Sequence, residues 1–499
     1  MTAESYDTFK SATDMLRDLR ERKIGAVELL DVHLDQVRAL NPEINAVVAL
    51  DEEGARRQAR LVDESGRRSS DEGKLLGLPM TIKDVFPAEG MPVTGGLPHL
   101  AGHMPERDAD VVERLREAGA VIFGKTNVPE GAGDHQSYNK IHGCTKNPWN
   151  PDRTPGGSSG GSAAALASGM TPLEVGSDVG GSIRCPAHFC GVYGHKPSFG
   201  IVPTHGHIPP PPGSLRRGEM SVAGPMARDP YDLELLLDVI TAPERAWRKA
   251  TQLRLPPTRC EKLEDFRVGV WLDAAEYPVD RGYADAIEGL LDDLRHVGVN
   301  VSNAKPDVDP QDSENTYFMM LFGEFCASAR QDMYESSKMA RNAKGGDNGR
   351  YGEWISEATS QDLRTWLRHL ENHERLRQRW ASFFENYDIL ICPVMSTVAF
   401  PHDHHGADHV AQLARTVEIS GRQMPYLDNL KWPGLITVAH LPSTVVPTRR
   451  LVGGLPAGVQ AVSSFLCDKT TLRFAQLLHD RLGSYTLPGQ ARQRPTAAR

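Results

Sequence analysis

Short apolar runs alternate with amphipathic helical patterns along this chain, and no other feature restricts its fold as strongly. Apolar residues recur at helical spacing from Leu16 to Leu40, and Pro42 is expected to end that pattern. The apolar runs at 121–124 and 268–272 are typical of buried strands. This alternation favours the α/β class. Because no repeat and no clear linker interrupts it, we predict one large domain over residues 1–499.

Several further elements follow from local patterns. The apolar stretch at 75–85 predicts a buried strand, and 388–392 predicts another. Asp280 is a candidate N-cap for a helix that runs to about Leu294. Residues 315–385 are predicted to be mainly helical, with a loop over Gly345–Gly352. The four prolines at 209–212 require an extended loop.

Composition narrows the class of partner. The chain has 499 residues and a formal net charge of −9, which provides no basic face for nucleic acid and disfavours anionic membranes. The polar N-terminus shows no secretory pattern, and no apolar run reaches the ~18–20 residues that span a bilayer. The 7 cysteines are dispersed and odd in number, which favours reduced thiols and a cytoplasmic location.

A segment rich in glycine and serine, residues 156–169, is more ordered than a flexible linker. It runs directly into Ala163–Ala167, which are strong helix formers, so Ser158 is expected close to a helix N-terminus. A second glycine turn follows at 177–186, after a short predicted strand at 173–176. Two tight turns around a helix and a strand exceed what a linker requires.

The second turn has the composition of an oxyanion-binding site. Consecutive backbone N–H groups of Val179, Gly180, Gly181 and Ser182 can form a concave nest, because glycine permits tight folding and close approach. Ser182 at the end of such a nest is a candidate nucleophile for acyl transfer. A serine needs a base, and a buried lysine can serve when desolvation lowers its pKa. Lys83 follows an apolar run, although a lysine there is more often exposed.

Three motifs together identify a family. They are Gly77–Asp84, Gly156–Ser162 and Gly176–Pro186, and further matches occur at 124–130, 147–150, 189–198 and 454–460. In this order they resemble the amidase signature family of serine hydrolases, from about residue 20 to residue 482. The resemblance implies one α/β domain with a large twisted mixed β-sheet covered by α-helices, and no metal or organic cofactor.

The resemblance also implies roles for individual residues. Lys83 would be the neutral general base, Ser158 the proton relay after a cis peptide bond, and Ser182 the nucleophile. The N–H groups of the second turn would form the oxyanion hole. Matching positions with an orienting or supporting role are Ser159, Asp178 and Arg184.

Departures from the family pattern concern specificity. His195 stands where a leucine is usual, and the segment after Glu130, which lines the acyl pocket in relatives, is polar and small. The helical region at 315–385 is expected to cover the pocket and to limit substrate size.

Two competing sites have weaker support. Ser159 fits the G-x-S-x-G pattern of a nucleophile elbow, but the proline-rich segment before it cannot form the strand that the elbow needs. The histidines between His402 and His409 have spacing compatible with metal ligands, yet no predicted helix holds them together. We therefore expect a solvated loop there and no metal.

The sequence thus predicts an amide hydrolase that forms an acyl-enzyme on Ser182, with esters and carbamates (urethanes) as further substrates. The alternatives are a glutamine amidase subunit of a tRNA-dependent amidotransferase and a catalytically inactive binding protein. Expected partners are small-molecule amides, esters or carbamates, with no nucleic acid and no membrane; a homodimer is left open.

Overall fold

A computed structural model describes residues 6–65, 73–272, 276–328, 331–339, 348–405, 410–483 and 486–489. Within these ranges the helices are α1 Ala12–Arg20, α2 Ala26–Ile44, α3 Glu52–Ser65, α4 Asp110–Glu117, α5 Gly160–Ala167, α6 Arg184–Cys190, α7 Pro230–Ile240, α8 Arg281–His296, α9 Pro310–Ser328, α10 Gln331–Lys338, α11 Asn348–Ser360, α12 Leu363–Phe384, α13 Lys431–Thr437 and α14 Asp468–Leu482.

The strands of the same ranges are β1 Val47–Leu50, β2 Pro79–Lys83, β3 Val121–Thr126, β4 Tyr138–Asn139, β5 Gly143–Cys144, β6 Leu173–Asp178, β7 Tyr193–Lys196, β8 Val222–Ala227, β9 Arg267–Val270, β10 Asn300–Asn303, β11 Ile389–Pro393, β12 Thr416–Ile419, β13 Arg422–Pro425, β14 Ser443–Val452 and β15 Leu455–Val462.

An eight-stranded mixed sheet forms the centre of the fold, in the order β10-β9-β11-β15-β14-β7-β8-β6. Strands β10, β9 and β11 are parallel, and the remaining pairings are antiparallel. A three-stranded sheet, β1-β3-β2, lies beside the β6 edge, where β2 contacts β6. The α/β class and the large mixed sheet flanked by helices are therefore confirmed.

The core is built from apolar faces of the sheet and of the helices that cover it. Helix α6 contacts β15, α8 contacts β14, and α7 and α14 pack on each other. One large buried cluster extends from α1 to α14 and includes Leu290, Ile391 and Phe474. A smaller cluster joins α2, β3 and α5. This packing fixes the ends of β2 and β6, where the candidate residues lie.

Some predicted boundaries were wrong. Helix α2 continues through Pro42 to Ile44 and ends at Asn45, whose left-handed conformation (φ 55°) stops it. A proline in the last turn removes only one donor, and the buried face of α2 compensates for that loss. The apolar stretch at 75–85 forms a strand only over Pro79–Lys83, because the residues before it make turns.

Other local predictions fare better. Asp280 caps α8, and its carboxylate accepts hydrogen bonds from Gly282 N and Tyr283 N. Residues 209–212 form no regular element. Of the predicted loop over Gly345–Gly352, residues 345–347 lie outside the described residues, and 348–352 belong to α11 instead. Among the residues described, none of the helices is both long and apolar enough to cross a membrane.

Candidate active site

Lys83 ends strand β2, and its side chain is completely buried. Its Nζ atom lies 2.7 Å from Ser158 Oγ and 3.0 Å from Ser177 Oγ, with the carbonyl oxygen of Ser177 at 3.5 Å. A neutral amine has two N–H groups and one lone pair. The N–H groups can donate to the hydroxyl and carbonyl of Ser177, which leaves the lone pair for the Ser158 hydroxyl. The contact between β2 and β6 thus places the Lys83 amine within hydrogen-bond distance of the Ser158 hydroxyl.

The surroundings of Lys83 favour the neutral amine. Burial lowers the pKa of Lys83 from 10.5 to about 7, and this effect outweighs the negative charges of Asp178 and Glu174, which raise the pKa. Burial also raises the pKa of Glu174 to about 8, so this carboxyl, which accepts a hydrogen bond from Thr81, is protonated near neutral pH. Asp178 is neutralised by its own partner, Arg184. Among the described residues Lys83 therefore lacks a dedicated counter-ion, and desolvation decides its protonation.

Ser158 lies in the turn that leads into α5, after a cis peptide bond between Gly157 and Ser158. The backbone N–H of Ser159 donates to the carbonyl oxygen of Ser182 at 3.1 Å, and the Ser159 hydroxyl donates to the Ser177 carbonyl at 3.4 Å. Ser159 thus joins the two glycine turns that carry the predicted relay and nucleophile.

Asp178 and Arg184 form a completely buried ion pair, with Asp178 Oδ1 2.8 Å from Arg184 Nη2. Burial alone would raise the pKa of Asp178, but the Arg184 guanidinium holds it well below its usual range. The same carboxylate accepts hydrogen bonds from Gly181 N and Ile183 N, at 2.9 and 3.0 Å. It therefore fixes the backbone on both sides of Ser182.

Of the four backbone N–H groups predicted to bind an oxyanion, one is used within the protein and three are free among the described residues. The N–H of Gly181 is engaged by Asp178, whereas those of Val179, Gly180 and Ser182 donate to no protein acceptor in the part of the chain that the structure describes. Val179, Gly180 and Ser182 also line a pocket. The unengaged N–H groups belong to pocket residues, so these three are the available donors for an oxyanion.

The glycines of this turn are required by its packing. Gly181 has φ +99°, and a Cβ atom there would lie 3.0 Å from Pro433 Cβ. A Cβ at Gly180 would lie 2.7 Å from Leu430 Cδ2. A side chain at Gly181 would strain the turn that carries Ser182, whereas one at Gly180 would displace the end of the Leu430 side chain.

Two aromatic side chains that sequence analysis did not single out hold the carbonyl groups of the turn. The Tyr317 hydroxyl donates to Val179 O at 3.2 Å, and His135 Nε2 lies 2.7 Å from Gly180 O. Burial lowers the pKa of His135, so its ring is neutral and donates this bond through Nε2. These contacts satisfy the carbonyl groups of Val179 and Gly180 and fix the orientation of their peptide groups. His135 lies in the polar segment after Glu130, which was the only sequence signal for it.

The pocket at Ser182 has a volume of about 490 Å³, including its open mouth. Helix α9 contributes apolar side chains to one wall, and the segment after Glu130 contributes small and polar residues to another. Its lining residues are Ala132, Gly133, Asp134, His135, Val179, Gly180, Ser182, Leu321, Phe322, Phe325, Gln412, Tyr426, Leu427 and Leu430.

His195 is not one of the residues that line this pocket, and its buried ring has structural partners. Its Nδ1 lies 2.9 Å from Thr444 Oγ1, and its Nε2 lies 3.1 Å from Asp468 Oδ1. The Asp468 carboxylate also accepts hydrogen bonds from the backbone and hydroxyl of Ser198. His195 thus connects β7 with the start of α14.

Comparisons with known proteins agree with this geometry. The family model described as Amidase matches residues 28–472. The indoleacetamide hydrolase of Bradyrhizobium diazoefficiens is 30% identical over 95% of this chain and 86% of its own length. A glutamyl-tRNA(Gln) amidotransferase subunit from a Roseiflexus species is 31% identical over 92% of this chain and 94% of its own.

Solved structures extend the agreement to the fold. A crystal structure of an amidase superposes with a TM-score of 0.76 and 28% identity, covering 95% of this chain and 100% of the other. The family match spans most of the chain and includes the turns around Lys83, Ser158 and Ser182. The chain therefore belongs to the amidase family, the amidase signature hydrolases.

Proposed function

We propose that this chain is a free-standing amidase that hydrolyses apolar, aromatic amides through an acyl-enzyme on Ser182. The observation that carries the proposal is the buried Lys83 amine, 2.7 Å from the Ser158 hydroxyl and without a dedicated counter-ion among the residues described. A surface lysine would be protonated at neutral pH and could not act as a base.

In the acylation step, Lys83 Nζ accepts the proton of Ser158 while Ser158 Oγ accepts the proton of Ser182. Ser182 Oγ attacks the substrate carbonyl, and the oxyanion binds the N–H groups of Val179, Gly180 and Ser182. The proton then returns through Ser158 to the leaving nitrogen, the C–N bond breaks, and the amine departs.

In the deacylation step, water takes the place of the amine. It loses a proton through Ser158 to Lys83, attacks the acyl carbonyl and releases the carboxylic acid, while Ser182 recovers its proton. No step in this cycle requires a cofactor, because the protein's own groups supply the base, relay and oxyanion donors.

The pocket supports the choice of substrate class. Phe322 and Phe325 of α9, together with Leu427 and Leu430, give it an apolar wall suited to an aromatic acyl group. The 30% identical relative is named as an indoleacetamide hydrolase, and an indole is an aromatic group of this kind. An aryl-acetamide is therefore the first substrate to test.

A glutaminase role is less well supported by the same pocket. Free glutamine carries an α-carboxylate, which a site usually binds with a cation. Lysine and arginine are absent from the pocket lining within the described ranges. The Asp134 carboxylate in the lining is already paired with Arg415 and Tyr426, so it is poorly placed to bind an ammonium group.

The decisive experiment compares indole-3-acetamide, phenylacetamide, an acyl anilide and L-glutamine, with ammonia or amine release as the readout. We expect turnover of the aromatic amides, no turnover of glutamine, and no turnover of any substrate by Ser182→Ala. Hydrolysis of glutamine alone would instead support the amidotransferase role. Failure of a fluorophosphonate probe to label Ser182 would refute the serine hydrolase mechanism itself.

Esters and carbamates are expected to be secondary substrates. An ester leaves as an alkoxide that needs less protonation than an amine, so its cleavage should depend less on the Ser158 relay. The ratio of ester to amide turnover should therefore rise in Ser158→Ala. An unchanged ratio would contradict the relay role.

A further inference from the structure

A cysteine and two histidines from distant parts of the sequence meet near the surface, and none of the three lines the pocket at Ser182. Cys144 Sγ lies 3.6 Å from His402 Nδ1 and 3.7 Å from His404 Nε2, across separations of 258 and 260 residues. All three atoms lie within 4.8 Å of one another. Cys144 and His402 are half-buried, and His404 is exposed; His409, at the end of the same histidine-rich segment, lies outside the described residues.

These distances match those of a tetrahedral zinc site. With Zn–S of about 2.3 Å and Zn–N of about 2.0–2.1 Å, a tetrahedral angle places the sulfur and each nitrogen about 3.6 Å apart. The two observed distances, 3.6 and 3.7 Å, agree with this value without any rearrangement. Both sulfur–nitrogen distances therefore suit a single ion, and the two nitrogens lie within 4.8 Å of each other.

The ring of His402 is oriented as a ligand requires. Its Nε2 lies 3.3 Å from the carbonyl oxygen of Pro151, which can only accept a hydrogen bond, so the proton is on Nε2. Nδ1 then presents its lone pair toward Cys144. A backbone carbonyl on the second ring nitrogen is the usual support of a metal-binding histidine.

The other two ligands are also held in place. The His404 ring stacks on Tyr138, with 4.0 Å between the ring centroids. Tyr138 belongs to β4, which pairs with the strand that carries Cys144, so Tyr138 and Cys144 face each other across the ladder. The short β4–β5 hairpin thus positions both the sulfur and the support of the second imidazole.

We propose that Cys144, His402 and His404 form a binding site for a zinc-like divalent transition metal ion, with water as the fourth ligand. On binding, the Cys144 thiol loses its proton to solvent and the sulfur binds as thiolate, with no change of oxidation state. One thiolate and two imidazoles suit Zn²⁺ or Co²⁺ and exclude Mg²⁺ and Ca²⁺, which prefer oxygen ligands.

The site connects to the pocket wall through the chain between its two histidines. Asp403 N donates to Gln136 Oε1 at 2.9 Å, and Gln136 Nε2 donates to Asp403 O at 2.6 Å. Gln136 also donates to the hydroxyl of Tyr426, a lining residue. A bound ion would fasten residues 402–404 to the β4–β5 hairpin, so the site acts as a structural clamp on this side of the pocket.

The test is a titration of the full chain, freed of metal by a chelator, with Co²⁺ as the probe. We expect a thiolate-to-cobalt charge-transfer band together with the visible bands of tetrahedral cobalt. Cys144→Ser should abolish the charge-transfer band. Both Cys144→Ser and His404→Ala should lower the affinity for Zn²⁺, measured by competition with Co²⁺, by more than about 100-fold. Loss of a residue that only supports a ligand typically lowers metal affinity by about 10–100-fold, so a larger loss indicates a ligand.

Two matched controls test the assignment. Cys467→Ser removes another half-buried free thiol, and His405→Ala removes a neighbouring imidazole that faces Asp403 instead. Both should bind Co²⁺ like the unaltered chain. Zn²⁺ should also raise the Tm of the unaltered chain and of both controls, but not that of His404→Ala. Because His404 is exposed, its replacement is not expected to disturb folding, so a lost Tm increase would report lost metal binding.

Three results would overturn the proposal. They are the absence of a thiolate band in the unaltered chain, an equal loss of the band in Cys467→Ser, and a Tm that Zn²⁺ raises equally in His404→Ala. None of them bears on catalysis at Ser182, so the outcome is independent of the proposed amidase function.

Discussion

Lowering the pH should slow amide hydrolysis, because it protonates Lys83. Burial lowers the pKa of this amine to about 7, so it is neutral in about nine-tenths of the molecules at pH 8 and in about one-tenth at pH 6. The net shift from 10.5 to about 7 corresponds to about 5 kcal/mol in favour of the neutral amine, at about 1.4 kcal/mol per pKa unit. Because only the neutral amine accepts a proton, kcat/KM should rise about tenfold from pH 6 to pH 8 and then level off.

The assay is initial-rate ammonia release from an aryl-acetamide across this pH range, at substrate concentrations well below KM. The residual activity of Lys83→Met should show no rise near pH 7, because the titrating group is gone. A flat profile between pH 6 and 8, or a rise only near pH 10, would falsify the reasoning that desolvation makes Lys83 the base.

A second buried lysine provides the matched control. Burial also lowers the pKa of Lys196 to about 7, but its Nζ donates to the carbonyl oxygen of Pro197 at 3.1 Å instead of to Ser158 or Ser182. Lys196→Met should therefore keep the rise near pH 7. If the rise disappears in this variant and persists in Lys83→Met, the base has been misassigned.

Three further changes test the site and its support. Gly181→Ala should displace the turn, because Gly181 has φ +99° and the added Cβ would contact Pro433. We expect kcat to fall by up to about 10²–10³-fold, which is the effect of losing one oxyanion donor. A normal kcat with an unchanged fold by circular dichroism would contradict this. Arg184→Gln should leave the Asp178 carboxylate buried without its cation and lower the free energy of unfolding by about 3–5 kcal/mol. The measurement is the midpoint of urea unfolding, and an unchanged midpoint would argue against a stabilising ion pair. His195→Leu should lower the free energy of unfolding by about 1–3 kcal/mol, because Asp468 loses a hydrogen-bond donor, and it should leave KM unaltered. A changed KM at full stability would instead place His195 in the substrate site.

The sequence by itself determined the fold class, the order of the motifs and the residues to inspect. Periodicity, capping and glycine turns are local properties, which is why Asp280 is found at its helix and α5 begins just after Ser158. Local signals were less reliable for boundaries. Helix α2 passes Pro42 because packing of its buried face outweighs the loss of one backbone donor.

Only the tertiary structure decided which groups meet and in what environment. The pKa of Lys83 depends on burial between β2 and β6, which no property of its neighbours in sequence reports. The engagement of the Gly181 N–H by Asp178 likewise appears only in the folded turn. The histidine loop was expected to be solvated because no predicted helix holds its imidazoles together. Its contact with Cys144, which is 258 residues from His402, is formed only by the fold, because distance along the chain carries no information about such a contact.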